Sequence, residues 1–202
     1  MSYYKIKNLE EYFKHYKKSV REPRKFWEKV ASENFTWYQE WDKVVDFNMA
    51  EAEIKWFTNA KVNIVKNCID RHLAKKGDKT AIIFEPNDPT EQALHITYNE
   101  LHERVCKMAN VLKEQGIEKG DRVCIYLPMI PELAISILAC ARIGAIHSVI
   151  FAGFSASAVN SRINDSQCKM VITSDGGYRG NKTIDLKSIV DEALLNSPSV
   201  KN

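Results

Sequence analysis

The sequence predicts an α/β fold: a parallel sheet built from βαβ units, preceded by a mainly helical and irregular leader. Three observations carry this. Apolar strand-like segments begin at residues 122, 146 and 169, and the intervals of 24 and 23 residues suit parallel crossovers. Helix signals lie between them, with Pro131 at one start, Ser155 as an N-cap at another and Gly144 at a stop. The intervening helix over 132–143 is apolar nearly all round, as expected of a helix covered on both sides.

The elements follow in chain order. Residues 1–60 form the leader, which holds all four tryptophans, Trp27, Trp37, Trp41 and Trp56. Short helices are expected over 8–18 and 23–33, where Pro23 suits a first turn and Phe26 with Val30 forms an apolar pair at helical spacing. Tryptophans interleaved with Asp and Lys predict irregular chain beyond that, packed on another surface. From residue 61, Val62, Val65, Ile69 and Leu73 recur at helical intervals and Gly77 stops that helix. Strands are expected over 80–84 and 94–98, around a polar loop with Pro86 and Pro89. Thr97 and Glu100 form a capping box for a helix whose apolar face is Leu101, Val105, Met108, Val111 and Leu112, ending at Gly116. Then strands over 122–127, 146–151 and 169–173 alternate with helices over 131–144, 155–163 and 184–195.

Composition excludes several classes. With 45% hydrophobic and 27% charged residues the chain is neither disordered nor low in complexity. Net charge is only +3, too mild for a nucleic-acid binder, though residues 1–30 carry nine basic against four acidic side chains. The longest apolar run, 133–143, falls far short of the ~20 residues of a membrane span. Neither a secretory signal nor a mitochondrial presequence fits the N-terminus. Cys68, Cys106, Cys124, Cys140 and Cys168 form no C-x-x-C and are read as reduced, buried thiols of a cytoplasmic protein. The five histidines form no metal spacing, and His147 is expected as a hydrogen-bonded core residue. Asp70 with Arg71, and Asp121 with Arg122, read as surface or local pairs.

Ligands of parallel sheets gather at the carboxyl ends of the strands, which directs attention to the loops 127–131, 151–155 and 173–183. The third, T-S-D-G-G-Y-R-G-N-K-T, offers Arg179 and Lys182 among three glycines. It suits either an anion or a flexible turn with solvated charges. Its G-x-x-x-x-N-K-T run over 176–183 is one residue from a P-loop, but Asn181 stands where the phosphate cradle needs glycine. The second loop, F-A-G-F-S, enters a helix, whose N–H groups and dipole favour an anionic or carbonyl-rich ligand; alternatively Gly153 only makes a turn and Ser155 only caps the helix.

Several stretches together resemble one family, the AMP-forming acetyl-CoA synthetases of the adenylate-forming superfamily: W-D-K-V-V-D from Trp41, N-C-I-D-R-H-L from Asn67, K-G-D-R-V from Lys119, Y-L-P-M-I-P-E from Tyr126, H-S-V-I-F-A-G-F-S from His147 and V-I-T-S-D-G-G-Y-R-G from Val171. The resemblance implies a ligase that converts acetate, Mg·ATP and CoA into acetyl-CoA, AMP and pyrophosphate through acetyl-adenylate. It implies that Phe151, Ala152 and Gly153 line the CoA site and that Arg179 and Lys182 contact its phosphates. Family members often carry Gly at the positions of Ala152 and Asn181. The family's T-S-G-S-T-G-K-P-K-G loop, acyl pocket, ribose-binding Asp and C-terminal lysine have no counterpart in these residues. The expectation is therefore an N-terminal fragment: a leader over 1–60, then the first part of the AMP-binding domain over 61–202, with no catalytic residue and no metal ligand of its own. Such a fragment is expected to be inactive alone, with CoA, ATP and acetate as small-molecule partners, the remainder of the synthetase as a macromolecular one, and neither nucleic acid nor membrane. The alternatives are a stand-alone CoA- or nucleotide-binding regulatory module and a propionyl-CoA synthetase fragment.

Overall fold

A computed structural model describes residues 6–201, which fall into two compact units divided between Asn63 and Ile64.

The first unit begins with helices α1 (Leu9–Arg21) and α2 (Pro23–Asn34). The Asn8 side chain caps α1 by accepting from the Glu11 N–H at 2.8 Å, and Pro23 occupies the first turn of α2. The expectation of irregular chain after α2 is corrected. Strands β1 (Lys43–Asn48) and β2 (Glu53–Thr58) form an antiparallel hairpin, with Val45 opposite Trp56 and Phe47 opposite Ile54. Two of the four tryptophans gather at its open end, where Trp37, Trp41 and Phe57 have ring centroids 4.9–5.6 Å apart. Aromatic packing holds this end of the hairpin, and the Trp37 indole donates to the Ala31 carbonyl at 3.1 Å.

The second unit opens with the segment expected as one helix over 61–77. It is broken into α3 (Ile64–Cys68), a 3₁₀ turn (Asp70–His72) and α4 (Leu73–Lys76). The break is at Ile69, whose backbone leaves the helical region while its side chain is fully buried. Strands β3 (Thr80–Phe84) and β4 (Leu94–Thr97) pair antiparallel. Helix α5 (Tyr98–Glu114) starts on the capping box: Thr97 Oγ1 accepts from the Glu100 N–H at 3.2 Å, and Glu100 accepts from the Thr97 N–H at 2.7 Å.

Strand β5 (Arg122–Tyr126) is the centre of a three-stranded parallel sheet, with β6 (Ile146–Val149) on one side and β7 (Met170–Thr173) on the other. Helix α6 (Pro131–Ile143) joins β5 to β6 and ends at Gly144, whose φ of +79° is the left-handed conformation that suits glycine. Helix α7 (Ala156–Ser166) joins β6 to β7. The period-two alternation of β5 builds two cores. Val123, Ile125 and Leu127 pack with α5 and α6, while Cys124 and Tyr126 pack with α7 and α8 (Leu186–Leu194) on the opposite face. A third cluster joins α3, β4, α5 and α6 through Val65, Ile96, Leu101, Val105 and Ile135, so α6 is covered from two sides.

Other expectations are corrected. His147 is exposed, because β6 is an edge strand with a neighbour on one side only. Cys68 is exposed; Cys124, Cys140 and Cys168 are buried and all five thiols are free. Asp70 does not pair with Arg71 but takes both ends of the Arg142 guanidinium at 3.0 and 3.1 Å, a bridge spanning 72 residues. Asp121 pairs with Lys169 at 2.6 Å rather than with Arg122, which donates to the Ser166 and Gln167 carbonyls.

Candidate functional site at the carboxyl edge of the parallel sheet

The carboxyl ends of β5, β6 and β7 carry the three loops singled out by the sequence. The structure gives each a distinct form.

After β6 the chain makes a tight turn over 151–154. The N–H groups of Gly153 and Phe154 both donate to the Phe151 carbonyl, at 2.7 and 3.1 Å. Glycine at 153 leaves room for the Phe151 ring, which a Cβ there would meet at 2.7 Å and displace. That ring is 60% exposed and meets Phe154 edge to face at 5.9 Å. Ala152 points the other way and packs against the core of Cys124, Tyr126 and α7. Ser155 caps α7, its hydroxyl accepting from the Ala158 N–H at 3.4 Å. The Arg162 guanidinium lies 4.7 Å over the Phe154 ring.

After β7 the segment 173–183 is a hairpin rather than a loop. Strand β8 (Gly176–Arg179) pairs antiparallel with β9 (Lys182–Asp185), and α8 begins only at Leu186, two residues later than expected. Gly180 and Asn181 form its two-residue turn. Gly180 has φ +58° and Asn181 has no positive φ, the sign pattern of a type II′ hairpin. The backbone of 176–185 is committed to strand pairing and enters no helix at Thr183, so the P-loop arrangement is not formed. Arg179 and Lys182 are register partners across the hairpin mouth. Like charges facing each other across a strand pair destabilise it. Both side chains are exposed, and neither has an ion-pair partner among the described residues, whereas nearby Lys187 is bound to Asp191 at 2.6 Å.

An open groove of about 980 Å³ lies at this edge, bordered by Pro128 to Ile130 after β5, by the hairpin from Ser174 to Asn181, and by the 84–91 segment after β3. The third border was not signalled by the sequence. Asn87 reaches the hairpin there and donates to the Gly180 carbonyl at 3.2 Å. Neither Phe151, Ala152 and Gly153 nor Arg179 and Lys182 line the groove.

Sequence reasoning also missed Tyr126 and Thr173. Tyr126 has no solvent exposure, and its hydroxyl donates to the Phe154 carbonyl at 2.8 Å. Thr173 Oγ1 donates to the Tyr126 carbonyl at 3.0 Å. The available signal was polar atoms at the ends of otherwise apolar strands.

Electrostatically the hairpin base is ordered by carboxylates. Asp185 caps α8, and its bonds from the Ser188 hydroxyl and N–H hold its carboxyl below the usual range. Among the described residues no group of three or more His, Cys, Asp or Glu side chains is placed to hold a metal ion, so no ligand set for Mg²⁺ is assigned to them. No helix among the described residues is long and apolar enough to cross a membrane.

Comparison with known proteins agrees with this architecture. Residues 69–201 match the family of AMP-binding enzymes, and residues 12–68 match the acetyl-coenzyme A synthetase N-terminus. The acetyl-coenzyme A synthetase of Alkalilimnicola ehrlichii is 51% identical over 93% of this chain and 29% of its own length. That of Magnetococcus marinus is 51% identical over 96% of this chain and 30% of its own. Among solved structures, acetoacetyl-CoA synthetase from Streptomyces lividans superposes with a TM-score of 0.84 at 26% identity, over 92% of this chain and 28% of that one. The chain thus spans about 30% of the length of the curated relatives it matches. It belongs to the AMP-binding enzyme family and carries the N-terminal segment characteristic of acetyl-coenzyme A synthetases.

Proposed function

We propose that this chain supplies part of the CoA site of an AMP-forming acetate–CoA ligase. In that reaction acetate attacks the α-phosphate of Mg·ATP, expelling pyrophosphate and forming acetyl-adenylate. The CoA thiol, losing its proton, then attacks the acyl carbon and AMP leaves. Acetate is the favoured acid because the relatives matched over nearly the whole chain are named acetyl-coenzyme A synthetases. Residues 1–60 serve as the leader and 61–202 as the first part of the AMP-binding domain. The five free thiols agree with a cytoplasmic setting.

The observation that carries the reading is the unpaired Arg179 and Lys182 facing each other on a hairpin at the carboxyl edge of the sheet. Such a pair is unfavourable for folding, and an anion between the two cations reverses its sign. The Phe151–Phe154 turn supplies the second half of the site: an exposed aromatic face, its Phe151 ring lying against Gly153. Lys182 offers charge but not a bidentate fork, so Arg179 makes the stronger phosphate contact.

Calorimetry on the 202-residue chain tests this. CoA should bind, and Arg179→Ala should weaken it about tenfold, the worth of one charge-assisted hydrogen bond. The chain alone should show no acetate-dependent ATP–pyrophosphate exchange. Magnesium-dependent ATP binding that is lost on Lys182→Ala, without CoA binding, would contradict the proposal.

A further inference from the structure

The central strand holds the 151–154 turn from both ends. At the near end, the Ile150 N–H donates to the Ile125 carbonyl at 2.9 Å, continuing the sheet one step past β6. At the far end, the Tyr126 hydroxyl reaches across and donates to the Phe154 carbonyl at 2.8 Å. The same residue is tied to the other half of the site, because its main-chain carbonyl accepts the Thr173 hydroxyl at 3.0 Å and Thr173 is its register partner. The next residue, Ser174, donates to the Gly176 carbonyl at 2.9 Å, where the hairpin that carries Arg179 and Lys182 begins.

We propose that Tyr126 is a positioning residue, setting the 151–154 turn against the hairpin so that both meet one CoA molecule; this rests on the CoA reading above. A core-filling role alone does not account for the hydroxyl. The residue is wholly buried in the core shared with α7 and α8, and phenylalanine would fill the same space. Burying a hydroxyl is costly unless it is satisfied, and the Tyr126 hydroxyl is satisfied by the carbonyl of the turn. Burial pushes the Tyr126 phenol above its ordinary value, so it stays a proton donor throughout the physiological range. With the ends fixed by Ile125 and Tyr126, the turn has little freedom left. CoA then meets a preformed surface and loses less to ordering it.

The test uses the full 202-residue chain and three variants: Tyr126→Phe, Thr173→Val, and Val159→Ala. Val159 is buried in α7 and takes part in neither hydrogen bond, so its truncation destabilises the same core while leaving both ties in place. CoA affinity is measured by calorimetry well below each melting temperature, and amide exchange is followed at residues 151–155. The expected result is a three- to tenfold loss of CoA affinity in Tyr126→Phe and Thr173→Val. In Tyr126→Phe the 151–155 amides should also exchange faster. Val159→Ala should melt earlier yet bind CoA as wild type. Wild-type affinity and unchanged exchange in Tyr126→Phe overturn the positioning role and leave the CoA reading standing. Equal affinity loss in Val159→Ala overturns it too, by assigning the effect to core stability. Absence of CoA binding by the wild-type chain overturns the CoA reading and this inference with it.

Discussion

Two carboxylates show how much one residue's partner matters. Asp121 is only 8% exposed, accepts from the Glu118 N–H at 2.9 Å and meets Lys169 at 2.6 Å. The Lys169 hydrogen bond, then the Glu118 N–H, hold its carboxyl below the usual range. A carboxyl depressed in the folded state stabilises above its unfolded value, and that contribution is lost as pH falls through the folded value. Asp121→Asn should therefore lower the melting temperature at pH 7, with the gap to wild type closing as pH drops below about 4. A gap independent of pH would show that charge plays no part. Asp70 has a similar character: it holds Arg142 on α6 and lies 3.7 Å from His102 on α5, so one side chain ties three elements. Neither partnership was legible in the sequence, where Asp70–Arg71 and Asp121–Arg122 stand adjacent. Adjacent residues on a turn or strand point apart, and the true partners are set by tertiary packing. His147 failed for a related reason, since an apolar strand reads the same at the centre and the edge of a sheet.

At the scale of elements, the legible ones carry local chemistry. Helix α5 was readable because Thr97 and Glu100 satisfy each other's N–H groups within one turn, and α6 because Pro131 and Gly144 bracket it. The two hairpins were missed because their turns carry weak signals. The β1–β2 connection, M-A-E-A over 49–52, contains no glycine or asparagine, and Ala52 itself takes a φ of +53°. The β8 strand begins with two glycines and ends with Arg179 opposite Lys182, a composition that disfavours strands. Only Gly180 announces this hairpin, and its φ of +58° meets no steric obstacle but demands a residue without a Cβ. Gly180→Ala should cost about 1–2 kcal/mol from the left-handed backbone alone. Urea unfolding measures the loss, and amide exchange should localise it to 176–185. A loss below ~0.3 kcal/mol would mean that the turn relaxes into another type.

For the molecule as a whole, the candidate site emerges where two elements of unlike character share one sheet edge: an aromatic turn with no charge and a hairpin with two unpaired cations. Sequence patterning located both loops because strand ends and glycines mark them, but it did not supply Tyr126, whose hydroxyl bonds the turn across 28 residues. The basic surplus of residues 1–30 belongs to the first compact unit and Arg179 and Lys182 to the second, so the proposed phosphate contact rests on these two side chains and not on the net charge of +3. The central claim is that this hairpin reads phosphate. Calorimetric comparison of CoA with pantetheine, which keeps the thiol arm and lacks every phosphate, tests it most directly on the 202-residue chain. The account predicts that CoA binds at least tenfold more tightly and that Arg179→Ala with Lys182→Ala removes the difference; equal affinity for the two ligands, or a difference that survives loss of both cations, would contradict it.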